Sequence, residues 1–151
     1  MIECILILKL LVPGSDPLHS ERVQVCTQLI KTANEYVIPP ALVLSVAWVE
    51  SNWTRQNQAN SSGVAGPMQI KTRYWCLDGG GEWNPSKPFG LLKGCDLFDR
   101  GVFSLAYYID RFQDLDRALC NYSASCGSDH YVRKVMRIFQ RIKPKLRRKG
   151  D

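Results

Sequence analysis

The sequence lacks several features that would assign it at once to a common class of protein. It has only two histidines, His19 and His130, and no Cys-x-x-Cys pair, which argues against a zinc site. No apolar run approaches the roughly 20 residues needed to cross a bilayer, so stable membrane insertion is not expected. There is also no internal repeat and no sustained alternation of apolar and polar residues. The sequence therefore argues against a repeat array and against a mainly β fold.

What is present fits one globular domain of ordinary size. The chain has 151 residues, of which 45% are hydrophobic and 23% charged. Its net charge of +6 favours an anionic partner, and a nucleic acid, a membrane surface and an acidic cell wall all qualify. Much of the excess lies near the end, in Arg141, Lys143, Lys145 and residues 147–149. No recognisable nucleic-acid-reading motif accompanies this charge, so nucleic-acid binding is not predicted.

The six cysteines are Cys4, Cys26, Cys76, Cys95, Cys120 and Cys126. Their even number and wide spacing predict two or three disulfides and an oxidising compartment, with buried free thiols as the alternative. Six cysteines allow fifteen pairings, so the connectivity does not follow from the sequence. A pair between Cys120 and Cys126 is predicted because a short loop separates them.

The chain divides into an apolar extension over residues 1–15, a main domain over 16–143 and a basic tail over 144–151. The extension is not a clean export signal, because Glu3 replaces the usual basic leader and Lys9 interrupts the apolar run. Residues 1–12 therefore either replace a lost signal or pack onto the body of the domain.

Helical periodicity runs through most of the main domain. Asp16-Pro17 predicts the start of a first helix, and Ala41 to Val49 is apolar on every side, as in a buried helix. Three further helices are predicted after Asp96 or Asp99, after Asp114 or Asp116, and after Ser128 or Asp129. The predicted fold is mainly α, with long loops over residues 52–66 and 77–94.

Glu50 is the strongest candidate for a catalytic residue. It closes the buried helix and directly precedes a polar, glycine-containing loop. Burial disfavours the charged carboxylate and raises its pKa, and a raised pKa suits a general acid near neutral pH. The alternative is a glutamate that simply turns to solvent at the end of its helix.

The residues that follow Glu50 form an ordered motif. Glu50-Ser51 leads to Ser61, Gly63 and the run Gly66-Pro67-Met68-Gln69-Ile70. This pattern resembles the active-site signature of the soluble lytic transglycosylases, in which a Glu-Ser pair precedes a glycine-rich segment ending in Gly-Leu-Met-Gln-Ile. The resemblance implies a lysozyme-like fold of the goose-type lysozyme kind in a single domain.

Two later segments are similar to the same family. Residues 118–125 resemble its second signature, Ala-Leu-x-x-Tyr-Asn-Ala-Gly, and Tyr131-Val132 resembles the start of its final helix. Gly101 stands where the family has a glycine in its next helix. The resemblance covers about residues 23–142. It departs from the family at Val64, Pro67, Ser123 and Ser125, in two extra residues before Ala59, and in its cysteines.

The resemblance implies cleavage of the β-1,4 bond between N-acetylmuramic acid and N-acetylglucosamine in peptidoglycan. Glu50 would be the single acid and base, and the C6 hydroxyl would close a 1,6-anhydro ring without metal or organic cofactor. Tyr122 would hold the Glu50 carboxyl by a hydrogen bond, supported by Ser51. The predicted substrate-binding residues are Ser61, Gly66, Met68 and Gln69, and Trp48, Trp53, Trp75 and Trp83 include candidates for stacking on sugars.

The expected protein is monomeric, with peptidoglycan strands as its partner. It would be secreted, periplasmic or wall-associated, in a phage, a secretion system or an antibacterial role. The nearest alternative is a goose-type lysozyme, which uses water instead of the C6 hydroxyl. An inactive glycan-binding module is the alternative from another class. Asp78 and Glu82 are the loop acids that could supply a second carboxylate.

Overall fold

The computed structural model describes residues 1–76 and 95–146 and is mainly helical. Its elements, in chain order, are α1 (Ile2–Leu11), α2 (His19–Glu35), α3 (Pro40–Ser51), β1 (Val64–Ala65), β2 (Ile70–Lys71), α4 (Thr72–Trp75), α5 (Leu97–Phe112), α6 (Leu115–Tyr122), α7 (His130–Ile142) and a 3₁₀ turn (Lys143–Lys145). The mainly α prediction is confirmed. No helix among the described residues is both long and apolar enough to span a membrane.

Helix α3 is the centre of the core. Its residues from Ala41 to Ala47 are all buried, and it packs between α2 on one side and α7 on the other. Pro40 stands at its first position, where the missing N–H costs nothing. Asn52 ends it in the left-handed conformation with φ 53°, which asparagine tolerates better than most residues.

Local capping explains where α5 and α6 begin. The Asp96 carboxylate accepts hydrogen bonds from the backbone N–H groups of Phe98 and Asp99, and the Asp114 carboxylate accepts one from the N–H of Arg117. These bonds satisfy donors that the first turn of a helix leaves without partners. Of the two aspartates predicted for each helix start, the capping residues are therefore Asp96 for α5 and Asp114 for α6.

The first helix of the main domain begins later than Asp16-Pro17 predicts. Asp16 accepts a hydrogen bond from the N–H of Leu18, and its carboxylate pairs with Arg22 at 2.9 Å. These contacts fold residues 16–18 into a turn, and α2 starts at His19.

Three disulfides cross-link the described chain: Cys4–Cys26, Cys76–Cys95 and Cys120–Cys126. The prediction of two or three disulfides and the specific pairing of Cys120 with Cys126 are confirmed. Such bridges fit an oxidising compartment.

The N-terminal segment is a helix that packs onto the body. Cys4, Ile7 and Leu8 of α1 are buried, and the Cys4–Cys26 disulfide joins α1 to α2. The expectation that residues 1–12 pack onto the body of the domain is therefore confirmed.

Candidate active site

Glu50 lies one residue before the end of α3, where the helix reaches a cleft. Its side chain is half-buried, and its Oε2 accepts a 2.7 Å hydrogen bond from the Tyr131 hydroxyl. Tyr131 is the second residue of α7. Because α3 and α7 pack against each other, residues 81 positions apart meet in one hydrogen-bonded pair.

The environment of Glu50 favours its protonated form. Burial raises the pKa of Glu50 above its ordinary value of 4.5, because desolvation destabilises the charged carboxylate. The Tyr131 hydrogen bond and the positive charge of Lys134 act in the opposite direction on this pKa. The net shift is upward, which is the direction expected from the sequence.

The cleft beside Glu50 has a volume of about 500 Å³, within the usual range for ligand sites of about 300–1,000 Å³. Its walls come from the antiparallel β-hairpin formed by β1 and β2, from α4, α5 and the end of α6 with the loop after it, and from Tyr131 of α7. Among the described residues that line it, Glu50 is the only one with a carboxylate. Any single-carboxylate chemistry in this cleft would therefore depend on Glu50.

One wall of the cleft is aromatic. Trp75 and Tyr108 contact each other edge to face with ring centroids 6.2 Å apart, and Tyr108 contacts Tyr122 in the same way at 6.1 Å. Tyr74 lies on the same wall and is 57% exposed. Flat aromatic faces beside a polar group suit a ligand that has both apolar and hydroxyl-bearing surfaces.

The β-hairpin is fastened to the helices at its turn. The carbonyl oxygen of Pro67 accepts a 2.7 Å hydrogen bond from the Ser51 hydroxyl, and the carbonyl oxygen of Met68 accepts one of 2.5 Å from the Tyr122 hydroxyl. Ser51 follows Glu50 at the end of α3, and Tyr122 ends α6. The two sequence signatures therefore meet at this turn.

The expected hydrogen bond between Tyr122 and Glu50 is not the one in the structure. The Tyr122 hydroxyl donates to the backbone of Met68, whereas Tyr131 donates to Glu50. Burial raises the pKa of Tyr122 well above its ordinary value, and the charge of the nearby Glu50 acts in the same direction. Its contact to the hairpin makes Tyr122 a support of the cleft wall.

Of the four predicted substrate-binding residues, one lines the cleft and three do not. Gln69 lines the cleft, whereas Ser61 is exposed at the turn before β1 and is not part of the lining. The expectation that Met68 lines the cleft is wrong, because its side chain is fully buried in the core. Gly66 is also buried.

Gly66 and Gly101 permit close packing beneath the hairpin. Gly66 has φ +85°, and a Cβ there would lie 2.9 Å from the Cβ of Leu97. A Cβ on Gly101 would meet the Met68 side chain at 3.0 Å. Their role is thus to let the hairpin approach α5, which explains glycine at both positions without substrate contact.

The tryptophans also separate by role. Trp53 is fully buried and donates a hydrogen bond from Nε1 to the carbonyl oxygen of Leu44, so it belongs to the core. Trp48 packs edge to face against Trp53 and under the Arg22 guanidinium. Trp75 is the tryptophan that reaches the cleft, while Trp83, Asp78 and Glu82 lie outside the described residues.

Sequence reasoning missed the role of Tyr131 and the electrostatic effect of Lys134 on Glu50. The motif comparison places Tyr131 only at the start of the last helix, and its ring does pack against the core. The contact depends on the packing of α7 against α3, which the sequence pattern does not show. Within residues 1–76 and 95–146, no group of three or more metal-ligating side chains is present.

Comparisons with protein-family models, with curated proteins and with solved structures found no match. The family resemblance of the motifs therefore stays a prediction, and function must be argued from the cleft itself.

Proposed function

We propose that this protein is a peptidoglycan lytic transglycosylase with a lysozyme-like fold. The observation that carries the proposal is the state of Glu50. It is a half-buried carboxyl with a raised pKa, held by the Tyr131 hydroxyl, in a cleft whose described lining has no second carboxylate. A mechanism that needs one carboxyl group fits this arrangement better than the usual two-carboxylate schemes.

In the first step, protonated Glu50 donates its proton to the glycosidic oxygen that follows N-acetylmuramic acid. The C1–O bond breaks, and the acetamide of the same sugar stabilises the positive charge that develops at C1. The upward shift of the Glu50 pKa supports this role, because an acid is most effective when its pKa lies close to the working pH.

In the second step, the Glu50 carboxylate removes the proton from the C6 hydroxyl of the same sugar. The hydroxyl oxygen forms the new bond to C1, which closes a 1,6-anhydro ring and returns Glu50 to its protonated form. Tyr131 stabilises the carboxylate between the two steps by its hydrogen bond. No metal or organic cofactor takes part in this scheme.

The surroundings of Glu50 support a glycan as the ligand. Trp75, Tyr74 and Tyr108 offer ring faces and edges to sugar rings, and Gln69 and Asn121 offer amide groups to hydroxyl and acetamide groups. The net charge of +6 suits an anionic wall polymer. Three disulfides fit action in the periplasm or outside the cell.

Digestion of purified peptidoglycan with mass analysis of the soluble products tests the proposal. We expect fragments that end in 1,6-anhydro-N-acetylmuramic acid, each lighter by one water than a hydrolysis product. Reducing ends instead of anhydro ends would show a muramidase on the same site. The absence of any released fragment, with binding to intact walls, would favour a glycan-binding module and contradict the proposal.

A further inference from the structure

Helix α1 carries an apolar surface on its outward side that no described part of the chain covers. We call Met1, Ile2 and Leu6 the outer face of α1. Their exposed fractions are 71%, 67% and 51%, and the spacing of Ile2 and Leu6 places them on the same side of the helix. The opposite side, with Cys4, Ile7 and Leu8, is buried in the core.

The outer face cannot turn inward, because α1 is fastened at both ends. The Cys4–Cys26 disulfide holds its first turn against α2, and the Arg141 guanidinium donates a hydrogen bond to the Leu10 carbonyl oxygen near its last turn. A helix that is apolar on all sides is normally surrounded by protein or lipid. The outer face of α1 is thus open to a partner outside the described fold.

Exposed cationic groups lie on α1 and on the elements that contact it. Lys9 is exposed on α1, and Arg141, Lys143 and Lys145 are exposed at the end of α7 and in the 3₁₀ turn, which contacts α1. Lys143 and Met1 line the same groove of about 650 Å³. Glu3, the acidic residue of α1, lines the same groove, and the exposed basic residues outnumber it.

We propose that the outer face of α1 and these cationic groups dock this protein on the surface of an anionic lipid bilayer. Apolar side chains would enter the boundary between headgroups and acyl chains, while the lysines and Arg141 contact acidic headgroups. Ten residues of helix extend about 15 Å, half of the roughly 30 Å hydrocarbon core, so α1 lies in the interface. A second copy of this chain fits the face less well, because two copies with net charge +6 repel each other.

The groove beside α1, which Met1 of the outer face lines, and the candidate active site lie at opposite ends of α3. Pro40 and Ala41, at the start of α3, line the groove beside α1, while Glu50, near its end, lines the cleft. Docking would therefore leave the cleft open to a polymer above the membrane. The inference does not depend on the proposed glycan chemistry, since it uses none of the residues of the cleft.

Vesicle flotation with the full chain tests this inference. We expect the protein to float with vesicles that contain phosphatidylglycerol and to stay behind with vesicles of phosphatidylcholine alone. Binding should weaken with salt, because the Debye length falls from about 10 Å at 0.1 M to about 3 Å at 1 M. Equal behaviour with both vesicle types, binding or not, would overturn the proposal.

Variants of exposed residues test the surface itself. Leu6→Ser should weaken binding to the anionic vesicles roughly tenfold, from the transfer energy of one buried leucine, while the matched control Leu6→Met should keep it. Lys143→Gln should weaken binding more than Lys71→Gln, which removes one exposed charge at the cleft instead. Circular dichroism checks that each variant is folded.

Two results would contradict the assignment of this surface. Unchanged vesicle binding in a folded Leu6→Ser variant would place the lipid contact elsewhere. Light scattering that shows a dimer in wild type and a monomer in Leu6→Ser would assign the outer face of α1 to a second copy of the chain.

Discussion

The two ends of helix α3 open onto concave surfaces of different chemistry. The groove at its start, about 650 Å³ in volume, is bounded mainly by apolar side chains such as Ile30, Phe139 and Leu146. The cleft at its end is smaller, about 500 Å³, yet it brings together a carboxyl, several hydroxyl groups and aromatic rings. The larger cavity offers mainly apolar contact area to a ligand, whereas the smaller one has polar groups that converge around Glu50.

This difference shows that cavity volume alone does not locate chemistry. Reaction needs polar groups aimed at one point, and a shifted pKa marks where burial and charge act on such a group. Burial raises the pKa of Glu50, Tyr108, Tyr122 and Tyr131, and all four line the cleft.

The largest effect is expected at Glu50. Glu50→Gln should lower the rate of peptidoglycan cleavage by at least about 10²–10⁴-fold, because the amide cannot donate and accept the proton. Glu35→Gln is the matched control, since Glu35 is an exposed glutamate at the end of α2. Turbidity loss of a cell-wall suspension measures both rates. Near-equal rates in the two variants would contradict the role of Glu50.

The same Glu50→Gln variant should also be at least as stable as wild type at neutral pH. The pKa of Glu50 is higher in the folded state than its ordinary value of 4.5, so folding favours the protonated form. Its contribution to stability is present below that ordinary pKa and is lost as pH rises through the raised one. Thermal unfolding from acid to neutral pH should therefore show a growing advantage for Glu50→Gln. A constant difference between the two proteins would contradict the raised pKa.

Two of the disulfides allow stability and activity to be compared between the groove side and the cleft side of the molecule. Removing Cys4–Cys26 by alanine substitution should cost about 1 kcal/mol more than removing Cys120–Cys126, because the closed loops differ in length, 22 against 6 residues. Removing Cys120–Cys126 should affect cleavage more, since the loop it closes contributes Ser123 and Ser125 to the cleft. Denaturant unfolding and wall digestion measure the two effects. The reverse order of unfolding free energies would contradict the first part.

Packing beneath the hairpin should be sensitive at Gly101. Gly101→Val would place carbon atoms against Met68, where even a Cβ lies at 3.0 Å, and overpacking of this kind costs about 1–3 kcal/mol. Gly127→Val is the matched control, because a Cβ there meets nothing within 4 Å. Thermal unfolding compares the pair. Equal losses in both variants would show that Met68 can move aside.

The smallest and most specific effect is expected from the two tyrosines of the cleft. Tyr131→Phe removes the hydrogen bond that stabilises the Glu50 carboxylate, so the pKa of Glu50 should rise. The loss of activity with increasing pH should then move to higher pH. Tyr122→Phe removes a bond to the Met68 backbone and should cost about 0.5–1.5 kcal/mol in stability, with a smaller change in the pH profile. A larger shift of the pH profile in Tyr122→Phe than in Tyr131→Phe would instead support a hydrogen bond between Tyr122 and Glu50.

Local signals explain which parts of the fold the sequence predicted. α3 follows from an apolar run between two prolines and a polar loop, and Asp96 and Asp114 cap helices that follow them directly. Helix α1 escaped prediction because its apolar residues surround the helix and leave no helical period. The hairpin escaped because its strands have two residues each, too few to show alternation.

The candidate site was predicted at Glu50 but not in its contacts. Tyr122 and Tyr131 both follow helical periodicity, and which hydroxyl reaches Glu50 depends on how α6 and α7 are rotated against α3. The burial of Met68 depends on the positive φ angles of Gly66 and Gln69 on either side of it. Both properties are set by packing between distant segments, which spacing along the sequence does not encode.

The attachment of the hairpin turn at Pro67 and Met68 has a consequence for the order of folding. Two strands of two residues are too short to persist alone in water, and the bonds from Ser51 and Tyr122 span 16 and 54 residues. The turn can therefore settle only after α3 and α6 have come together, which requires closure of a long loop. In a refolding experiment with the disulfides intact, helical signal should return before catalytic activity, and the delay should lengthen in Tyr122→Phe.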